Sequence, residues 1–103
     1  MKKNMHGLAD KIKKLREQTG MTQADLAKKL SLTRAGINAW EMGISVPSTP
    51  YIIEIANLFH VTTDYLFGLD ENQTLRTDGL NDQEISALIN IIDCLKKSHS
   101  NNQ

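Results

Sequence analysis

The sequence predicts an all-α protein: five short helices around one core, then a polar connector, then a sixth helix. Three observations carry that prediction. Apolar residues recur at three- and four-residue intervals, the spacing that lines one face of a helix. Hydroxyl or amide side chains stand ahead of most such runs, where they can cap a helix start. No segment alternates apolar and polar residues for long enough to make a strand.

Leu8, Ile12 and Leu15 define the first helix, over about 7–18, and Gly20 follows its last turn with the freedom to adopt a left-handed conformation. Thr22 then caps a second helix over about 22–29, with Asp25 in the place a capping box gives to Glu or Gln. Leu26, Ala27 and Leu30 are its apolar face. Thr33 caps a third helix over about 34–41, with Ile37 and Trp40 turned inward and Gly43 ending it. Residues 44–48 are a loop, since Pro47 lacks a backbone donor. Ser48 or Thr49 starts a fourth helix that tolerates Pro50 in its first turn and buries Ile52, Ile55, Ala56 and Phe59. A short fifth helix follows Thr62, with Val61 and Leu66 placed as a hydrophobic staple. Tyr51, Tyr65 and Phe67 have no cofactor pattern around them and read as packing.

Residues 69–80 are polar and read as a linker. Asn81 to Glu84 then caps a sixth helix, over 81–97, with Ile85, Leu88, Ile89, Ile92 and Leu95 on one side and Ile91 widening the stripe. Residues 98–103 are low in apolar residues and are expected to fray as a disordered tail. Cys94 is expected to behave as a small buried hydrophobe.

Composition excludes several functions. The chain has 103 residues, about one domain's length, with 40 % hydrophobic and 23 % charged residues. No apolar run is long enough to span a bilayer, and no apolar segment follows Met1-Lys2-Lys3, so neither a membrane anchor nor a secretory signal is expected. The expected compartment is the cytoplasm. One cysteine and three scattered histidines leave no material for an internal disulfide and little for a metal cluster, and no cofactor is expected. A phosphate-cradling glycine loop, a His-Glu-x-x-His motif and a catalytically spaced Cys/His pair are all missing from the sequence, so an enzyme is not expected.

The zero net charge conceals a split. Residues 1–43 hold nine Lys/Arg and four acids, a net of +5, whereas residues 44–103 hold three bases and eight acids, a net of −5. A basic half of this kind suits a polyanion partner, and a solvated lysine-rich surface has the same composition.

Two short helices joined by a turn of three or four residues, the second following a Thr, fit the helix-turn-helix motif. Ala27 has to be small where the two helices cross closely, and Ile37, ten residues on, plugs the third helix onto the same core. The segments Leu-Arg-Glu-Gln-Thr-Gly-Met-Thr-Gln-Ala-Asp-Leu-Ala-Lys-Lys-Leu (15–30), Trp-Glu-Met-Gly (40–43), Val-Pro-Ser (46–48) and Val-Thr-Thr-Asp-Tyr-Leu-Phe-Gly (61–68) resemble the phage repressor and Cro-type, or Xre-type, helix-turn-helix family. The resemblance covers about residues 8–68. It implies a five-helix, repressor-like DNA-binding domain over 1–68, with double-stranded DNA as partner, and commonly repression as a dimer on a palindromic operator.

The resemblance also implies roles for single residues. Gln23 matches a position that contacts the DNA backbone and supports the reading helix. Arg34, Ala35 and Asn38 face the groove; arginine can bond guanine O6 and N7, and asparagine can pair similarly with adenine. Thr33 and Ser45 match candidate phosphate contacts, and Trp40 combines packing with an N–H that reaches a phosphate. Arg16 and Glu41 match an ion pair joining the first helix to the end of the third. Lys28 and Lys29 are open between phosphate contact and plain solvated surface. Ser31 stands where relatives usually have glycine. Gly36 lies inside the third helix, and its reading is open between close approach to DNA and a merely tolerated residue. The loop after Gly43 lacks the Lys/Arg that many relatives place there.

The stripe Ile85, Leu88, Ile89, Ile92, Leu95 needs a cover, supplied either by the preceding domain or by a second copy; a connector ahead of it favours a dimerisation helix. A dimeric, sequence-specific repressor is therefore the leading expectation. The alternative is an antitoxin or anti-regulator that acts through a protein partner such as a toxin or antirepressor.

Overall fold

A computed structural model describes residues 7–101. Met1–His6 and residues 102–103, which belong to the expected DNA-binding domain and tail, lie outside the described residues. Among the described residues six helices follow one another: α1 Gly7–Gln18, α2 Gln23–Leu30, α3 Arg34–Glu41, α4 Thr49–Phe59, α5 Thr63–Leu66 and α6 Asp82–Asn101. Among the described residues the sole β feature is an isolated antiparallel bridge between Val61 and Leu75. No helix there is long and apolar enough to cross a membrane.

Local chemistry sets the helix starts. The Thr22 hydroxyl accepts the Asp25 N–H at 3.0 Å while the Asp25 carboxylate accepts the Thr22 N–H at 2.9 Å, closing the capping box ahead of α2. The Thr22 N–H, first among the causes, holds the Asp25 carboxyl below its ordinary pKa. Thr33 accepts from the Gly36 N–H at 3.1 Å and Thr62 from the Tyr65 N–H at 3.0 Å. Ser48 precedes α4 with extended backbone and makes no side-chain cap, so Pro50 in the first turn carries that start.

Two helix ends use the left-handed region without glycine. Ser31 and His60 both have φ 58°. The Leu32 N–H reaches back to Ala27 O at 2.8 Å, and Val61 N–H to Ala56 O at 3.0 Å, the six-to-one bond of a Schellman ending.

The first five helices close one core in which Ile12, Leu26, Ile37, Ile55, Val61 and Leu66 are fully buried. Val61 and Leu66 flank the α5 cap, as a hydrophobic staple requires. Trp40 and Tyr51 meet at 5.7 Å between ring centroids, tilted by 55°. Tyr65 is buried, with the Lys11 ammonium 5.2 Å above its ring. Phe67, read from sequence as packing, is exposed instead, because the chain turns away at Gly68 directly after α5.

Residues 69–80 have no regular structure, yet they are tied to the domain they leave. The Arg76 N–H donates to His60 O at 2.7 Å, and the Arg76 guanidinium donates to Asn57 Oδ1 at 2.8 Å and to both Asp78 oxygens. Gln73 donates to Gln18 across the chain at 3.0 Å. The Arg76 hydrogen bond, above all, holds the Asp78 carboxyl below its usual range. The segment is a strap rather than a free tether.

Asn81 and Glu84 exchange backbone-to-side-chain bonds of 3.0 and 2.8 Å at the start of α6. The helix continues to Asn101, past the Lys97 end expected from composition. No Gly or Pro interrupts Ser98–Asn101, so adding residues to an existing helix costs little, and Lys97 pairs with Asp93 at 3.2 Å one turn back. Ile85 is half-buried; Leu88, Ile89, Ile91, Ile92 and Leu95 are exposed. Cys94 is exposed as well, contrary to the buried thiol expected, because none of the described residues packs over that part of the helix.

Candidate nucleic-acid interface

The interface is built outward from an ion pair. Arg16 on α1 donates from Nε to Glu41 Oε2 at 2.7 Å and from Nη2 to Glu41 Oε1 at 3.1 Å. Its remaining arm donates to Met21 O at 2.7 Å. The two side chains are 10 % and 3 % exposed, so each charge depends on the other for what water would supply. The hydrogen bond to Glu41 raises the Arg16 pKa against the opposing effect of burial. This bidentate pair clamps the end of α3 to α1 and the turn before α2.

Gln23, the first residue of α2, extends the pair. Its Nε2 donates to Glu41 Oε1 at 3.0 Å and to Asn38 Oδ1 at 3.1 Å. Both amino hydrogens of Gln23 are therefore engaged within the protein, which leaves its carbonyl oxygen as the free end of the amide. A phosphate offers only acceptors, so a Gln23 contact to the DNA backbone falls to its main-chain N–H at the start of α2.

On α3, Ile37 and Trp40 turn inward, while Arg34, Ala35 and Asn38 are exposed on the opposite side. Arg34 and Asn38 stand one turn apart and share a face. Trp40 is only 8 % exposed, so its part in this structure is to seat α3 on the core. Thr33 and Ser45 are exposed at the two ends of α3, and Lys28 is exposed on α2. A Cβ built on Gly36 meets only the Thr33 hydroxyl, at 3.4 Å, so packing within the protein does not demand glycine there.

Two features escape sequence reasoning. The Gln23–Asn38 bond spans fifteen residues and depends on side-chain rotamers that no spacing rule records. The loop after α3 exposes Ile44 (75 %) and Val46 beside Ser45. The sequence did hold a signal for the second: two apolar residues around a serine, in a loop with no helical stripe to join. Among the described residues no group of His, Cys, Asp and Glu is arranged to hold a metal.

Comparison with known proteins agrees with this geometry. The helix-turn-helix family model matches residues 12–66. The HTH-type transcriptional regulator ImmR of Bacillus subtilis is 35 % identical over 75 residues, which cover 72 % of this chain and 59 % of ImmR. The chain thus spans somewhat under two thirds of that relative. A second Bacillus subtilis protein, the HTH-type transcriptional regulator YqaE, is 35 % identical over 80 residues, covering 74 % of this chain and 69 % of YqaE. In fold, the chain is similar to the solution structure of the SOS-response transcriptional repressor LexA from Eubacterium rectale, with a TM-score of 0.59 and 18 % identity over 77 % of this chain and 87 % of that one. With the ion pair, the two capped helices and the turn at Ser31 lying inside the matched span, this chain belongs to the helix-turn-helix family, among relatives that are HTH-type transcriptional regulators.

Proposed function

We propose that this protein is a sequence-specific DNA-binding transcriptional regulator, a dimeric repressor that lays α3 in the major groove of a palindromic operator. The observation that carries the reading is the division of α3 into a buried side, Ile37 and Trp40, and an exposed side, Arg34, Ala35 and Asn38. A rigid helix clamped by a buried ion pair and presenting Arg, Ala and Asn has the chemistry for base edges and thymine methyls. Thr33, Ser45 and Lys28 flank it as phosphate contacts, which fix register rather than sequence. The net charge of +5 over residues 1–43 supports the same polyanion partner.

The dimer rests on α6. Its stripe of Leu88, Ile89, Ile92 and Leu95 is exposed, with Ile85 half-buried at the near end. A second copy covers such a stripe and sets two reading helices about 34 Å apart, one turn of duplex.

Sequencing of genomic DNA captured by the full chain, beside an Arg34→Ala control, tests base reading. The expected result is enrichment of inverted repeats, with Arg34→Ala relaxing one base pair per half-site at a cost of ~1–3 kcal/mol. Equal binding to all sequences by both proteins overturns it. Affinity should fall steeply with salt; a salt-insensitive complex with a co-purifying protein supports a protein-interaction module instead. Analytical ultracentrifugation of the chain and of an Ile89→Ser/Ile92→Ser variant tests the dimer, which an unchanged mass overturns.

A further inference from the structure

Resting on the DNA-reading proposal above, we infer that Asn38 offers the duplex its amino group rather than its carbonyl, and so selects a keto base, guanine or thymine, on the strand it faces. One group in this network has a polarity beyond choice. Glu41, held by two bonds from the Arg16 guanidinium, is a carboxylate and can only accept. The Gln23 group 3.0 Å from Glu41 Oε1 must therefore be its amino nitrogen. That nitrogen has a second hydrogen, and the Asn38 atom 3.1 Å from it must accept, so it is the carbonyl oxygen. The oxygen faces α2, and the Asn38 amino group, on the other side of the same planar amide, points away from it. Asn38 is exposed, and among the described residues its amino group has no partner.

Turning the Asn38 amide over would set two amino groups against each other and lose the bond to Gln23. The charge on Glu41 is thus relayed through Gln23 into a fixed donor at the surface of α3. In the major groove guanine O6 and N7 and thymine O4 accept, and cytosine offers only its amino group; adenine accepts at N7, but its adjacent N6 amino group opposes a donor, so a keto base is favoured over adenine. The adenine contact expected from residue type alone is displaced by a keto-base contact. Gln23 is then a positioning residue that acts through Asn38.

The test is selection and sequencing of bound duplexes with the full-length protein and three variants. The position whose preference disappears in Asn38→Ala belongs to Asn38. Wild type should hold guanine or thymine there. Asn38→Asp, which offers only acceptors, should shift the preference to cytosine or adenine by roughly tenfold, the size of one base-specific contact. Gln23→Met, which ends the relay but keeps the side-chain length, should admit adenine at that position and leave the others unchanged, a readout that simple loss of stability does not produce. Adenine or cytosine at that position in wild type overturns the inference, as does an Asn38→Ala profile identical to wild type. If Gln23→Met fails to fold, Asn38→Asp still decides. A wild type that selects no sequence overturns the DNA-reading proposal itself, whereas a defined site with the wrong base class overturns only the relay.

Discussion

Residues 7–68 and 82–101 are rich in the same residue, isoleucine, and use it in opposite ways. Ile12, Ile37, Ile52 and Ile55 are buried between short helices, while Ile89, Ile91 and Ile92 are exposed along one long helix. The first region closes its own core because five helices of 4 to 12 residues can each turn an apolar side to a shared centre. The second is a single helix of 20 residues, whose stripe beyond Ile85 has no facing element among the described residues. An amphipathic pattern therefore states that a surface needs cover, and it leaves the origin of the cover to the rest of the molecule.

Substitutions distinguish the two regions. The largest expected effect lies in the first region: Glu41→Leu strands the Arg16 charge in a site 10 % exposed and should cost ~3–5 kcal/mol in chemical unfolding. Arg16→Met combined with Glu41→Leu should recover much of that loss, because no unpaired charge remains. Next, Ile55→Ala should cost ~2–5 kcal/mol through cavity formation. The matching Ile92→Ala should cost under ~0.5 kcal/mol at concentrations where the chain is single. Similar losses at the two isoleucines in dilute protein would break the contrast, whereas a loss at Ile92 that grows with concentration would sharpen it.

The smallest effect concerns the strap between the regions. The Asp78 carboxyl is held below its ordinary pKa, first by the Arg76 hydrogen bond. A depressed carboxyl stabilises the fold at pH values above its unfolded pKa, near 4, and that contribution is lost as the pH falls through the lower folded value. Wild type should therefore exceed Asp78→Asn slightly in stability at neutral pH, and the two should converge below about pH 4. A gap that persists in acid would place the effect elsewhere.

Local chemistry made most of the fold legible. Thr22, Thr33, Thr62 and Asn81 each mark a helix start in the sequence and accept the backbone N–H that the start leaves unpaired. The candidate reading face was legible too, because the spacing of Ile37 and Trp40 fixes which side of α3 is left for Arg34 and Asn38. Long-range single bonds were not. A polar run such as 69–80 has the composition of a tether, and the bonds of Arg76 to His60 and Asn57 and of Gln73 to Gln18 show that it is fastened. Residues 98–101 remain helical because composition records preference, not the small cost of prolonging a helix already formed. The donor polarity of Asn38 needed three other side chains to be placed before it could be deduced.

Ser31 and His60 hold a backbone conformation that glycine reaches with least strain, and both sit at helix ends away from the buried centre. The molecule thus keeps a margin in reserve: glycine at either turn would offset part of the loss from a destabilising substitution acquired on α3. Diversification of the reading surface is easier for a scaffold with such slack, since new base preferences can arise first and compensation can follow at a turn.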